Sequence, residues 1–71
     1  MIKWTDLNGT EQFVAESVIC ERDNGGSADE YEIYSSVVRW ANEYGWANEE
    51  IGNQEEADVE KVFEYVIGGY A

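Results

Sequence analysis

Apolar residues recur at helical spacing in two stretches of this chain, and that recurrence constrains its fold more than any other feature. In the later stretch Val59, Val62, Phe63, Val66, Ile67 and Tyr70 fall at i, i+3, i+4, i+7, i+8 and i+11, the stripe by which a helix faces a core. In the earlier one Tyr31, Ile33, Tyr34, Val37, Val38, Trp40, Ala41 and Tyr44 fill about half a helix circumference. Glu32, Ser35, Ser36, Arg39 and Glu43 fill the rest. Ser27-Ala28-Asp29-Glu30 has the form of a capping box for that helix, in which the hydroxyl takes one free amide and the Glu reaches back to another. Gly45 and Gly68 are natural stops. Trp46 and Ile51 then fall in a connector between the two helices.

The N-terminal third reads differently. Asn8-Gly9 suits a two-residue hairpin turn, and the register it sets pairs Leu7 with Thr10, Trp4 with Phe13 and Ile2 with Ala15. Ile2, Trp4, Phe13 and Ala15 then share one face, with Lys3, Thr5, Thr10 and Gln12 on the other. Glu16 to Arg22 fits neither period cleanly; a further strand and a short helix packed under the sheet both suit it, and strand is preferred. The expected fold class is therefore α+β: an N-terminal β-hairpin or three-stranded antiparallel meander packed with two α-helices, as one domain over 1–71.

A chain of 71 residues has room for one core and no second domain. It contains ten Trp, Tyr and Phe residues by type (3, 5 and 2), enough apolar bulk to fold. The chain has no His, so a Cys or Ser nucleophile lacks its usual base, and an enzyme is not expected. Cys20, the single cysteine, lies in an apolar run and reads as a small buried hydrophobe. The first residues lack the apolar run of a secretory signal, no stretch has the length of a membrane span, and a cytoplasmic location is expected.

Two further motifs carry less. From Glu21 to Glu32 acids stand at positions 1, 3, 9 and 12 of a calcium-type loop with Gly26 at position 6. Position 1 is Glu, however, and position 5 is Gly25, so a Gly-Gly turn before a capped helix is the simpler reading, and no cofactor or metal is expected. Gly68-Gly69 is similar to the diglycine of ubiquitin-like modifiers, but two residues follow it and Gly68 already serves as a helix stop.

The charge is the remaining signal. Sixteen Asp and Glu face four Lys and Arg, a formal net charge of −12. Such a field disfavours direct binding to nucleic acid or anionic membranes and favours basic surfaces. Between Arg39 and Lys61 stand Glu43, Glu49, Glu50, Glu55, Glu56, Asp58 and Glu60 with no intervening cation. Some have local duties: Glu55 and Glu56 suit the first turn of the last helix, Asn53 with Glu56 suits a capping pair, and Asn48 precedes Glu49 and Glu50 in the same way. Yet solubility alone needs a net charge of only about 2 to 8 in a small domain. Carboxylates on neighbouring helical turns lie roughly 5 to 6 Å apart, similar to consecutive phosphates along one strand. Gathered on one rigid side, they offer a basic groove the pattern it expects from DNA or RNA.

In size, acidity and lack of catalytic residues the chain resembles the small phage-encoded DNA-mimic inhibitors, of anti-CRISPR and anti-restriction type. That resemblance implies direct binding to a nucleic-acid-handling protein of the host, such as a CRISPR effector or a restriction enzyme, and blockage of its DNA or guide-RNA channel. The expected function is thus a non-enzymatic acidic inhibitor. Glu43, Glu49, Glu50, Glu55, Glu56, Asp58 and Glu60 supply the field, and Tyr44 and Trp46 the desolvated anchors. The alternative is a structural or assembly module, a homodimer or part of a larger complex, held through exposed aromatics.

Overall fold

The computed structural model describes residues 1–26, 29–51 and 56–68, and of 45–51 the backbone alone. A short 3-10 turn at Trp4–Asp6 leads into three α-helices: α1 (Gly9–Asp23), α2 (Glu30–Ile51) and α3 (Val59–Ile67). Each helix packs on the other two. The described residues contain no strand, so the chain is a small all-α fold and the expected α+β class, with its N-terminal hairpin or meander, is overturned.

The reason lies in Asn8 and Glu11. Asn-Gly serves a hairpin turn, but Asn is equally a preferred helix N-cap. Here the Asn8 side chain accepts from the Glu11 N–H at 2.8 Å, and the Asn8 N–H donates to Glu11 Oε1 at 2.8 Å, a complete capping box. Val14, Ala15 and Val18 then recur at i, i+1 and i+4 and are fully or almost fully buried. Trp4 and Phe13, paired across strands in the hairpin reading, go to different neighbours. The Trp4 ring lies 5.8 Å from Tyr65 and the Phe13 ring 5.8 Å from Tyr44. A lone two-stranded ribbon is marginal in water, whereas a capped helix with a buried stripe is stable against two others. Glu16–Arg22, read as a strand, continues α1.

Glu11 does more than close its own helix. It is 1% exposed. Its Oε2 accepts the N–H of Asp58 at 2.7 Å, and the Lys61 ammonium lies 3.1 Å from Oε1. Asp58 is the N-cap of α3, its side chain accepting from the Lys61 N–H at 3.2 Å. The Asn8 amide also donates to the Glu56 carbonyl at 2.9 Å. One carboxylate therefore satisfies orphan donors at the starts of two helices, where negative charge also complements the helix dipoles.

α1 ends where Gly25 takes a positive φ of 100°, a conformation a side chain resists, and a Cβ on Gly26 would meet the Glu21 carbonyl oxygen at 2.8 Å. The Ser27 member of the expected capping box lies outside the described residues. Asp29 caps α2, accepting the Tyr31 N–H at 2.8 Å. α2 does not stop at Gly45 but runs to Ile51, so 46–51 is helix and not connector, and Asn48 starts no helix. Nor does the last helix begin at Glu55 and Glu56: it begins at Val59, with Glu56 before it, and Asn53 and Glu55 lie outside the described residues.

The core comprises Leu7, Val14, Ala15, Val18, Ile33, Val37, Val62, Tyr65 and Val66. Tyr65 belongs to it without having been part of the expected stripe. Tyr31, by contrast, is 81% exposed, and Tyr70 lies outside the described residues.

Replacing Glu11 by Ala strands the Asn8 and Asp58 N–H groups and leaves the Lys61 ammonium without its anion. Glu11→Ala is expected to lower the unfolding free energy by about 3 to 5 kcal/mol. Glu64→Ala, on an exposed position, should cost less than about 0.5 kcal/mol. Urea titration followed by circular dichroism measures both.

Candidate functional site

Along the outer edge where α1 meets α2, Phe13, Ser17, Cys20 and Glu21 of α1 face Trp40 and Tyr44 of α2. On α1 these residues fall at i, i+4, i+7 and i+8, and on α2 at i and i+4, so each set occupies one helix flank. Tyr44 is the hinge pin. Its hydroxyl lies 2.8 Å from the Ser17 hydroxyl, and its ring sits 5.8 Å from Phe13 and 5.8 Å from Trp40, the last pair stacked at 25°. Beside these rings is a shallow, mostly apolar depression lined by Glu16, Ser17, Cys20, Glu21 and Trp40. Phe13, next to it, is 57% exposed.

Glu21 organises one wall. Arg39 grips both of its oxygens, at 2.6 Å for Oε1, and the Trp40 indole N–H donates to Oε2 at 2.9 Å. The same guanidinium stands 5.5 Å from the Trp40 ring centroid. The hydrogen bond from Trp40, then that from Arg39, holds the Glu21 carboxyl below the usual carboxylate range, against a small opposing effect of burial.

A carboxyl lowered on folding stabilises the fold above its unfolded pKa, and the contribution is lost as pH falls through the lowered folded value. At 41% exposure solvent screens it, so it amounts to less than about 1 kcal/mol.

The expected site residues that the structure describes stand on α2 and at the start of α3. Tyr44 is half-buried in the groove just described, and Glu43 is exposed beside it on α2. Trp46, Glu49 and Glu50 lie on the C-terminal part of α2, where the backbone alone is described, and Glu55 lies outside the described residues. Glu56 and Glu60 are exposed, before and within α3. Asp58 is exposed but spends its carboxylate on capping α3. The acids are not gathered on a single element: Glu16, Asp23, Glu30, Glu32 and Glu64 are exposed as well, so all three helices carry them.

Phe13, Glu16, Ser17, Glu21 and Trp40 are groove residues that sequence reasoning did not select as a site. Their signal was the i, i+4 spacing of Trp40 with Tyr44 on the expected helix, and that of Phe13 with Ser17 and Ser17 with Glu21, which the strand assignment of 10–22 hid. Cys20 is exposed and not buried, because its place on α1 turns it away from Val14 and Val18. The Asn24 amide donates to its carbonyl at 2.8 Å and approaches its sulfur at 3.3 Å.

The calcium-type loop does not form as a loop. Glu21 to Asp23 is the end of α1 and Glu32 is inside α2, and no group of three or more acids converges among the described residues. No described helix is long and apolar enough to cross a membrane. Comparison with known proteins gives no matching family model, no matching curated protein and no matching solved structure.

What the groove can do follows from its parts: the exposed Phe13 ring beside a half-buried Trp40–Tyr44 stack, a recess, and carboxylates on its walls, a set suited to holding cationic and apolar groups together. Removing the indole donor tests the wall directly. In Trp40→Phe the Glu21 carboxyl should titrate at a higher pH than in the native protein, and in Arg39→Met as well. Side-chain carboxyl NMR across an acid titration reads both shifts.

Proposed function

We propose that this protein is an acidic, non-enzymatic inhibitor that binds the positively charged nucleic-acid-binding surface of another protein in the cytoplasm and occludes it. The observation that carries the reading is how the fold uses its few cations. Of four Lys and Arg, Lys61 is spent on the buried Glu11 and Arg39 on Glu21. The remaining carboxylates on the three helices thus face solvent with little compensation, in a chain of net charge −12. Like charges so arranged oppose the compact state and serve solubility well beyond its need. They are explained if a cationic partner completes them.

Mechanistically, the field draws the partner in from a distance and the docked domain occupies the channel that phosphates would take. Resemblance to small DNA-mimic inhibitors points to a CRISPR effector or restriction enzyme as the class of partner. Because the acids are spread over three helices, charge supplies attraction and encounter rate, and orientation has to come from an apolar contact.

The exposed Phe13, Tyr31, Tyr34 and Ile67 favour one competing reading, assembly into a homodimer or larger complex. That association has to bring two chains of −12 together. Sedimentation velocity separates the two readings: an inhibitor of this kind sediments as a monomer at low salt, and an assembly module shows a mass that rises with concentration.

Affinity capture from a bacterial lysate is expected to retain a nucleic-acid-binding protein whose nucleic-acid binding is then competitively inhibited. Retention should fall steeply as the screening length shrinks from about 10 Å at 0.1 M salt to about 3 Å at 1 M. The triple reversal Glu43→Lys, Glu56→Lys, Glu60→Lys should abolish capture while helical content is unchanged. Asp58 is left out of that set because it caps α3.

A further inference from the structure

Building on the reading of the protein as a binder of cationic surfaces, we infer that the α1–α2 groove is the anchor point. An arginine or lysine side chain of a basic protein segment enters the depression, lies against Phe13 and the Trp40–Tyr44 stack, and pairs with Glu16.

Three observations converge on it. Phe13 is a large apolar side chain left 57% exposed beside a recess. An exposed aromatic next to a recess is the usual form of a binding hot spot.

The walls of that recess are acidic. Glu16 and Cys20, one helical turn apart, form one row, and Ser17 and Glu21 form the next. Glu21 is engaged by Arg39 and Trp40, whereas Glu16 is exposed and makes no hydrogen bond or ion pair among the described residues. An apolar recess whose open carboxylate has no counterion selects an occupant that is apolar along its stem and positive at its head, as Arg and Lys are. A second copy of this chain arrives with −12 of its own, and a nucleic acid with its phosphates, so both are disfavoured by charge.

The molecule also contains an internal example of the contact. The Arg39 guanidinium stands 5.5 Å from the centre of the Trp40 ring and is gripped by both Glu21 oxygens. A ring face and a carboxylate converging on one guanidinium is the recognition inferred for the incoming side chain, with the Phe13 and Tyr44 rings and Glu16 in the corresponding parts.

The test is binding of a fluorescently labelled peptide of alternating arginine and glycine to the intact protein, measured by anisotropy, with amide chemical shifts mapping where the peptide sits. Phe13→Ala and Glu16→Lys should each weaken binding roughly tenfold or more. Glu64→Lys makes the same change in net charge on an exposed position of α3 and should weaken it less than about threefold. Circular dichroism confirms that each variant keeps its helices, and the shift map on the native protein, which needs no variant, should centre on residues 13–21 and 40–44.

If the three variants weaken binding equally, or the shifts spread evenly over the surface, the groove inference fails while the acidic-binder reading stands. If the peptide does not bind at low salt, both fail. A sedimentation mass that exceeds the monomer and drops to it in Phe13→Ala assigns the groove to a second copy and overturns the inference.

Discussion

A single buried carboxylate sets the geometry of this protein. Glu11 accepts the amides at the starts of α1 and α3 and the ammonium of Lys61, with 1% of its surface exposed. Burying a charge is costly unless it is paired and hydrogen-bonded, and here three groups from the starts of two helices converge to meet that condition. The beginnings of α1 and α3 are thereby held side by side, with the Asn8 amide on the Glu56 carbonyl as a second strut. α2 then packs across both, and its flank toward α1 carries Trp40 and Tyr44 to Phe13 and Ser17.

That arrangement explains an otherwise puzzling use of charge. A chain with sixteen acids and four bases commits one base, Lys61, to an internal carboxylate and a second, Arg39, to clamping Glu21 and Trp40. Acids fall in the first turn of each helix, where they complement the dipole, but no base stands in the last turn of α2 or α3. Arg22 stands in the last turn of α1, and the ends of α2 and α3 are left without such a base. A cationic partner would relieve both the repulsion between the exposed acids and those uncompensated helix ends. Exposed acids stand on all three described helices, and in the proposed complex the aromatic groove between α1 and α2 supplies the orientation that charge alone does not.

The helical periodicity of 31–44 and 59–67 was legible from spacing alone, since Ile33, Val37, Val62 and Val66 take the buried positions that the stripes assign to them. The N-terminal third was not. Asn8-Gly9 satisfies the requirements of a hairpin turn and of a helix N-cap equally, and the deciding partners of Glu11 are Asp58 and Lys61, about fifty residues away, which no local pattern reveals. Glu11 three residues after Asn8, and Val14-Ala15 followed by Val18, were the local signs of a helix. Gly45 misled as a stop because an interior glycine costs only about 1 kcal/mol, which the continuation of α2 tolerates. Of the candidate site, Tyr44 was legible as an aromatic beside the acids. Phe13 was not, because a strand assignment turned it inward, and Asp58 looked like part of the field although its carboxylate caps a helix.

The tie at Glu11 is most directly tested by native-state hydrogen exchange at the Asn8 and Asp58 amides. Neither N–H belongs to the interior of a helix, and without the shared carboxylate both would exchange as frayed termini do. The account predicts that both exchange as slowly as the buried α1 amides of Val14 and Val18, opening only when the whole domain unfolds. Rapid exchange at either one, while Val14 and Val18 remain protected, would contradict it.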